Sequence, residues 1–177
     1  MLTSSKDNIP ALVTAAKANP AAFGAVYDRF VSPVYRYLFS RVGNQADAED
    51  LTAQTFLAAL EALPKYNERG YFSAWLFSIA HSRVTDHFRR SRPGVELESA
   101  ETRAGDADPL REVIQNEELR TLSNLLKNLT DDERELVRLR YVAGLSFAEM
   151  AALLRKNEDA VKKSLYRLLA RMQSQLE

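Results

Sequence analysis

The segment from Gly144 to Met172 constrains the fold most, because two short amphipathic helical patterns meet there at a turn. Ser146 and Glu149 have the S-x-x-E spacing of a capping box, which begins a helix by satisfying free backbone N–H groups. Asn157 is the predicted N-cap of the second helix. This arrangement predicts a helix-turn-helix, whose second helix fits the major groove of DNA.

The second helix has an apolar stripe, Val161, Leu165, Leu168 and Leu169, that allows it to pack against the first. A packed hairpin with a solvated lysine face would show the same pattern. Ala151 favours the helix-turn-helix, because a small residue at the turn lets the helices cross closely. The predicted DNA-binding residues lie off the stripe: Asn157, Asp159, Lys162, Lys163, Ser164, Tyr166, Arg167 and Arg171.

Arg155 occupies the turn at a position where such motifs usually have glycine. The turn favours a positive φ, which a residue with a Cβ adopts at a cost of about 1 kcal/mol. We therefore expect local strain at Arg155.

Composition indicates an all-α protein. Helix-forming residues dominate the 177-residue chain, and alternating runs of β-branched residues are absent. There are no cysteines, which excludes disulfides and thiolate metal sites, and two histidines do not suggest a metal site. We expect no cofactor. No apolar run approaches the roughly 20 residues that span a bilayer, so we expect a cytoplasmic protein without membrane insertion.

The formal net charge of zero is a sum over segments of opposite sign. Residues 1–93 carry 11 basic and 8 acidic side chains, residues 94–120 carry 3 and 8, and residues 121–177 carry 10 and 8. The middle segment opens with small and acidic residues and lacks an apolar period. We predict two helical domains, 1–93 and 110–177, joined by a flexible acidic linker over 94–109.

Four helices are predicted in the first domain. Asn19-Pro20 and Ser32-Pro33 each resemble a helix start, which predicts a break near Val31 and a second helix that ends at Gly43. A third helix begins at residues 44–46, and its exposed acids also suit the positive end of the helix dipole. The fourth has the core stripe Phe72, Leu76, Ile79, Ala80, Val84 and Phe88 and a basic C-terminal end.

These segments resemble a known family. DAEDLTAQTFLAAL, then FSAWLFSIAHSRVTDHFRR, an acidic linker, LTDDERELVRLRYVAGLSFAEMAALL and a terminal helix-turn-helix are similar to the bacterial RNA polymerase sigma factors of the extracytoplasmic-function (ECF) group. The resemblance extends from about Ala21 to Met172, and two unrelated motifs occur in the expected order. It implies sigma regions 2 and 4, joined by a linker.

The resemblance implies contacts with the polymerase. Helix 47–60 would bind the clamp helices of the largest subunit of core RNA polymerase, and the terminal domain would bind the flap of the second-largest subunit. The linker would run toward the RNA exit channel. A partner anti-sigma factor is also implied. The residues implied in core-polymerase binding are Asp47, Glu49, Asp50, Leu51, Gln54 and Phe56.

The resemblance also implies two contacts with promoter DNA. The loop 64–71 and the following helix would hold a flipped, unpaired base of the −10 element, and helix 158–171 would bind the −35 element. A core position is the alternative interpretation of the lone tryptophan. The residues assigned to −10 recognition and melting are Lys65, Tyr66, Asn67, Arg69, Trp75, Arg83, Arg89 and Arg90.

This chain departs from the family pattern in two DNA-facing helices. His81-Ser82 stands where Arg-Asn is frequent, and Lys163-Ser164 where Ser-Arg is frequent. The sequence therefore does not specify the promoter.

The alternative function is a free-standing helix-turn-helix regulator with a helical dimerisation domain. A regulator would bind duplex operators by itself, whereas a sigma factor requires the core enzyme. An enzyme is disfavoured, because Ser82, Asp86 and His87 lack the nucleophile turn or glycine loop that a catalytic site needs.

Overall fold

The computed structural model describes residues 9–67, 70–91 and 126–175, and these residues form helices and turns without a strand. This confirms the all-α prediction. The chain divides into two compact units, Met1–Thr102 and Arg103–Glu177. The predicted linker, 94–109, lies outside the described residues, so the domain boundaries remain a prediction. Within the described ranges, no helix is long and apolar enough to cross a membrane.

The first unit contains four helices within residues 9–67 and 70–91. They are α1 (Ile9–Ala18), α2 (Phe23–Val42), α3 (Gln45–Ala62) and α4 (Phe72–Ser91). Short 3-10 turns at Pro20–Ala22 and Leu63–Lys65 precede α2 and follow α3. Helix α2 packs against α1, α3 and α4, and α3 packs against α4.

Side-chain caps begin the helices where the sequence predicts. The Asn19 Oδ1 accepts a hydrogen bond from the Ala21 N–H at 3.0 Å, and the Asn44 Oδ1 accepts one from the Asp47 N–H at 2.9 Å. Gly43 ends α2 with a left-handed φ of 75°, a conformation that glycine adopts without a steric penalty. These helix boundaries confirm the predicted ones.

The predicted break near Val31 is wrong, because α2 continues through Pro33. An internal proline costs about 3 kcal/mol. Burying one large apolar side chain stabilises by about 1.5–3 kcal/mol, and Val34, Tyr37 and Leu38 beyond the proline are all 0% exposed. Tertiary packing therefore outweighs the cost of Pro33.

Aromatic rings fill the centre of the first unit. Phe30 lies 5.5 Å from Phe72, and Tyr37 lies 5.5 Å from Phe77 between ring centroids. The Tyr37 hydroxyl hydrogen-bonds to the Nδ1 of His81 at 3.1 Å, so His81 supports the core from α4. In the predicted α4 stripe, Phe72, Leu76, Ala80 and Val84 are buried, while Ile79 and Phe88 are only partly buried.

The second unit contains three helices in its described part. They are α5 (Asp131–Val137), which continues into a π-helical turn over Arg138–Val142, α6 (Phe147–Leu154) and α7 (Glu158–Gln173). Helix α7 contacts both α5 and α6. Thr130 and Glu133 form a capping box at the start of α5.

Arg155 adopts the left-handed conformation that the sequence predicts, with φ 54° and ψ 40°. Among the described non-glycine residues, it alone has a positive φ. The Arg155 N–H donates to the Ala151 carbonyl, which closes α6. The turn is therefore held by hydrogen bonds despite the unfavourable backbone.

We predict that Arg155→Gly stabilises the protein by up to about 1 kcal/mol. Relief of the roughly 1–2 kcal/mol of left-handed strain exceeds the roughly 0.4–1 kcal/mol of added chain entropy in the unfolded state. Urea unfolding measures the change. Arg155→Ala is the control, because it removes the same side chain without relieving the strain. A glycine variant no more stable than the alanine variant would contradict the prediction.

Candidate DNA- and polymerase-binding surfaces

The helix-turn-helix is formed by α6 and α7. The Ser146 hydroxyl accepts a hydrogen bond from the Glu149 N–H at 3.2 Å, and the Glu149 carboxylate accepts one from the Ser146 N–H at 2.7 Å. This is the capping box that the sequence predicts. Val161, Leu165 and Leu168 are at most 2% exposed and hold α7 in place. The packing leaves the other faces of α7 exposed.

The exposed side of α7 presents polar groups without internal partners. The side chains of Lys163, Ser164 and Arg167 are exposed and form no hydrogen bond or ion pair with the part of the chain that the structure describes. Tyr166 is 60% exposed beside them. Because burial of α7 does not involve these residues, they can contact a ligand without unpacking the unit.

Two other predicted DNA-binding residues have structural partners at the start of α7. The Asn157 Oδ1 accepts a hydrogen bond from the exposed Asp159 at its backbone N–H, at 2.8 Å, and so caps the helix. The Lys162 Nζ lies 2.8 Å from the Glu158 carboxylate and 5.7 Å from the Phe147 ring centre. The hydrogen bond to Glu158 raises the pKa of Lys162, which therefore stays charged.

Arg171, a predicted DNA contact, is exposed and also pairs with an acid of α5. Its Nη2 donates to the Glu133 Oε1 at 2.7 Å, across two helices. The other oxygen of Glu133 accepts a hydrogen bond from the Thr130 N–H at 3.0 Å. Arg171 thus ties the C-terminal part of α7 to the start of α5.

The bonds from Thr130 and Arg171 stabilise the charged form of the Glu133 carboxylate. Burial alone would raise the pKa of Glu133, but the Thr130 backbone N–H and the Arg171 guanidinium together hold that pKa below its ordinary value. A carboxyl group whose pKa is lowered on folding stabilises the folded state at pH values above its unfolded-state pKa, about 4.3. This stabilisation is lost as the pH falls through the folded-state pKa.

We therefore predict that Glu133→Gln destabilises the protein at pH 7 and that this difference shrinks below about pH 4.3. Glutamine retains the capping geometry but loses the ion pair with Arg171. Urea unfolding of both proteins across pH 3–7 is the measurement. A difference in unfolding free energy that is constant with pH would contradict the account.

Helix α3 presents a polar outer face. The Asn44 Nδ2 donates to the Asp47 Oδ2 at 2.8 Å, and the Gln54 Nε2 donates to the Asp50 Oδ2 at 2.6 Å. Glu49 is exposed and accepts a hydrogen bond from Gln45 at 2.6 Å. These bonds lie along the helix surface, so the predicted polar contacts remain accessible.

Leu51 and Phe56, which the resemblance assigns to polymerase binding, lie in the core of the first unit. Leu51 is 2% exposed and Phe56 is 4% exposed. Phe56 packs edge-on against Phe23 and Tyr27, with ring centroids 6.4 and 4.8 Å away. Both residues hold α3 on the unit.

Tyr66, which the resemblance assigns to DNA melting, is also part of the core. It is 8% exposed, lies 5.4 Å from Phe72 and 4.7 Å from Trp75, and its carbonyl accepts a hydrogen bond from the Lys17 Nζ at 2.6 Å. Trp75 is half-buried against the same rings. Part of the Trp75 side chain therefore remains exposed.

Lys65 and Asn67 are exposed on the loop after α3, as a contact with DNA would require. Arg69, predicted to act with them, lies outside the described residues. Arg89 is exposed near the end of α4 and pairs with Asp86 at 2.8 Å.

A polar cleft of about 290 Å³ lies between α3 and α4. Asp50 and Gln54 line it from α3, and Arg83 and Arg90 line it from α4. The sequence assigns the first pair to the polymerase and the second pair to DNA. The structure brings all four residues to one surface.

The sequence analysis did not predict the capping box at Thr130 and Glu133, although the T-x-x-E spacing is visible in the chain. It also did not predict that Leu57 is a surface residue of α3, 60% exposed, because apolar residues of an amphipathic helix usually lie in the core.

Two family models match the chain. Residues 26–93 match Sigma-70 region 2, and residues 119–172 match Sigma-70 region 4. The first match covers most of the described first unit, and the second includes α5, α6 and α7.

The chain is also similar to whole proteins of this class. It is 41% identical to the ECF RNA polymerase sigma factor BldN of Streptomyces coelicolor, over 88% of this chain and 61% of that protein. It is 34% identical to SigC of Mycobacterium tuberculosis, over 80% of this chain and 76% of that one. A solved structure of CnrH in complex with the cytosolic domain of CnrY matches with a TM-score of 0.69 and 26% identity, over 97% of both chains. The chain belongs to the ECF RNA polymerase sigma factors.

Proposed function

We propose that this chain is a promoter-specificity subunit that binds core RNA polymerase, directs it to promoters and helps to melt them. The observation that supports this most is the geometry of α7, whose buried stripe leaves Lys163, Ser164 and Arg167 exposed together. Such a face suits the major groove of the −35 element.

The polymerase contact belongs to α3 in this proposal. Its outer face presents Asp47, Asp50 and Gln54, while Leu51 and Phe56 fix the helix from below. The clamp helices of the largest subunit would bind this face, and the flap of the second-largest subunit would bind the second unit.

The loop after α3 and the exposed part of Trp75 would hold the −10 element. Stacking of an unpaired base on an aromatic ring and neutralisation of phosphates by Lys65 would supply binding energy for melting, without bond chemistry. In this proposal, the chain has no catalytic role of its own and acts in the bacterial cytoplasm.

An anti-sigma factor is a further proposed partner. The matching solved structure is a complex of CnrH with the cytosolic domain of CnrY, which supports a similar inhibitor here. The free-standing regulator is not favoured, because matches to region 2 and region 4 occur together in the expected order.

Co-purification with core polymerase, followed by transcription from a genomic library, tests the proposed function. We expect the chain to bind core polymerase and to direct initiation at a limited set of promoters. Failure to bind core, or the same transcripts with and without the chain, would overturn it.

We predict that Asp50→Lys combined with Gln54→Ala weakens core binding by at least about 1–2 kcal/mol, the scale of an interface charge lost with its partner. Both side chains lie on the surface of α3, so the helical content stays unchanged. The affinity of the labelled full chain for core polymerase is the measurement. Asp28→Lys, at an exposed acid of α2, is the control. Normal core binding by the double variant would show that this face of α3 does not contact the polymerase.

We predict that Lys163→Ala changes which −35 sequences are preferred, because recognition helices read bases with their N-terminal residues. A base contact costs about 1–3 kcal/mol at one base pair. Transcription by holoenzyme from a panel of −35 variants measures the preference. Arg167→Ala is the comparison, since loss of a phosphate contact weakens all promoters alike and lowers the salt slope by about one. If Lys163→Ala left the order of preference among the −35 variants unchanged, the assignment of Lys163 to a base contact would be wrong.

A further inference from the structure

Two arginines line the cleft between α3 and α4. Arg83 is half-buried and Arg90 is exposed, and both line the cleft. Neither forms an ion pair or hydrogen bond with its side chain in the part of the chain that the structure describes. They stand seven residues apart on α4, about 10 Å along the helix axis, on the same face.

The neighbouring acids, in contrast, have partners. The Asp86 carboxylate pairs with Arg89 at 2.8 Å, and the Asp47 carboxylate lies 3.5 Å from the His87 Nε2. Asp50 accepts the hydrogen bond from Gln54. The cleft therefore holds charges of both signs, and Arg83 and Arg90 are its two cations without a direct partner among the described residues. Each guanidinium can pair with a carboxylate from another molecule.

A protein carboxylate suits this cleft better than a nucleic-acid backbone does. A DNA strand carries one negative charge per roughly 3.4 Å, so a strand laid here would meet Asp47, Asp50 and Asp86 as well as the arginines. A single acidic side chain on a surface of mixed charge meets complementary groups throughout. Asp50 and Gln54, the proposed polymerase contacts, also line the cleft.

We propose that the cleft binds an acidic side chain of core RNA polymerase between Arg83 and Arg90, so that α4 extends the polymerase-binding surface of α3. This rests on the proposed function and reassigns both arginines from promoter DNA to the polymerase. The interface then combines acids on one helix with free arginines on the next, and such alternation gives specificity for one charge pattern.

The test measures the affinity of the full-length chain for core polymerase in the absence of DNA. The variants are Arg83→Glu, Arg90→Glu and the double substitution. Arg83→Gln with Arg90→Gln removes the charges without adding acids and serves if the glutamate variants fail to fold. Arg36→Glu is the matched control, because Arg36 is an exposed arginine on α2 that does not line the cleft.

We expect the double variant to bind core about tenfold more weakly or worse, corresponding to about 1.4 kcal/mol, and Arg36→Glu to bind as the wild type does. Unchanged core affinity together with weaker promoter complexes would overturn the proposal and return the arginines to DNA. An equal loss with Arg36→Glu would also overturn it, because the effect would then reflect net charge alone. A wild-type chain that does not bind core would instead refute the proposed function itself.

Discussion

The turn between α6 and α7 sets the direction in which α7 leaves α6, and the proposed DNA-binding surface depends on that direction. Arg155 closes α6 in a left-handed conformation, and Asn157 begins α7 two residues later. With the turn fixed, Val161 and Leu165 are buried, and Lys163 is exposed on another side of α7. The ion pair between Arg171 and Glu133 then secures the other end of the helix against α5.

In the first unit, too, the residues that hold a helix in place differ from those that are exposed for binding. Leu51 and Phe56 bury the inner side of α3, and hydrogen bonds between neighbouring polar residues arrange its outer side. The same division applies to the loop after α3, where Tyr66 packs in the core and Lys65 is exposed. Substitution of a supporting residue would therefore impair binding through loss of the helix position.

Local patterns allowed most helix boundaries to be predicted from sequence. Caps such as Asn44 and Ser146 act over three residues, and the strain at Arg155 follows from the turn itself. The break near Val31 was a wrong prediction, because the cost of Pro33 is local while the packing that offsets it is tertiary.

Site residues were harder to predict where their partners are distant in sequence. The pairing of Arg171 with Glu133 spans 38 positions, and the cleft joins α3 to α4. Motif resemblance locates a binding helix but does not separate its buried residues from its exposed ones. Phe56 and Tyr66 illustrate this, since both belong to the core of the first unit.

We propose that this chain reads promoters only as part of the polymerase, so the affinity of a promoter duplex for the chain should depend on core enzyme. Measured without and with core polymerase, that affinity should change from weak to tight and sequence-specific. Specific binding of the isolated chain to half-sites about one helical turn apart, at nanomolar affinity and unaffected by core, would contradict it.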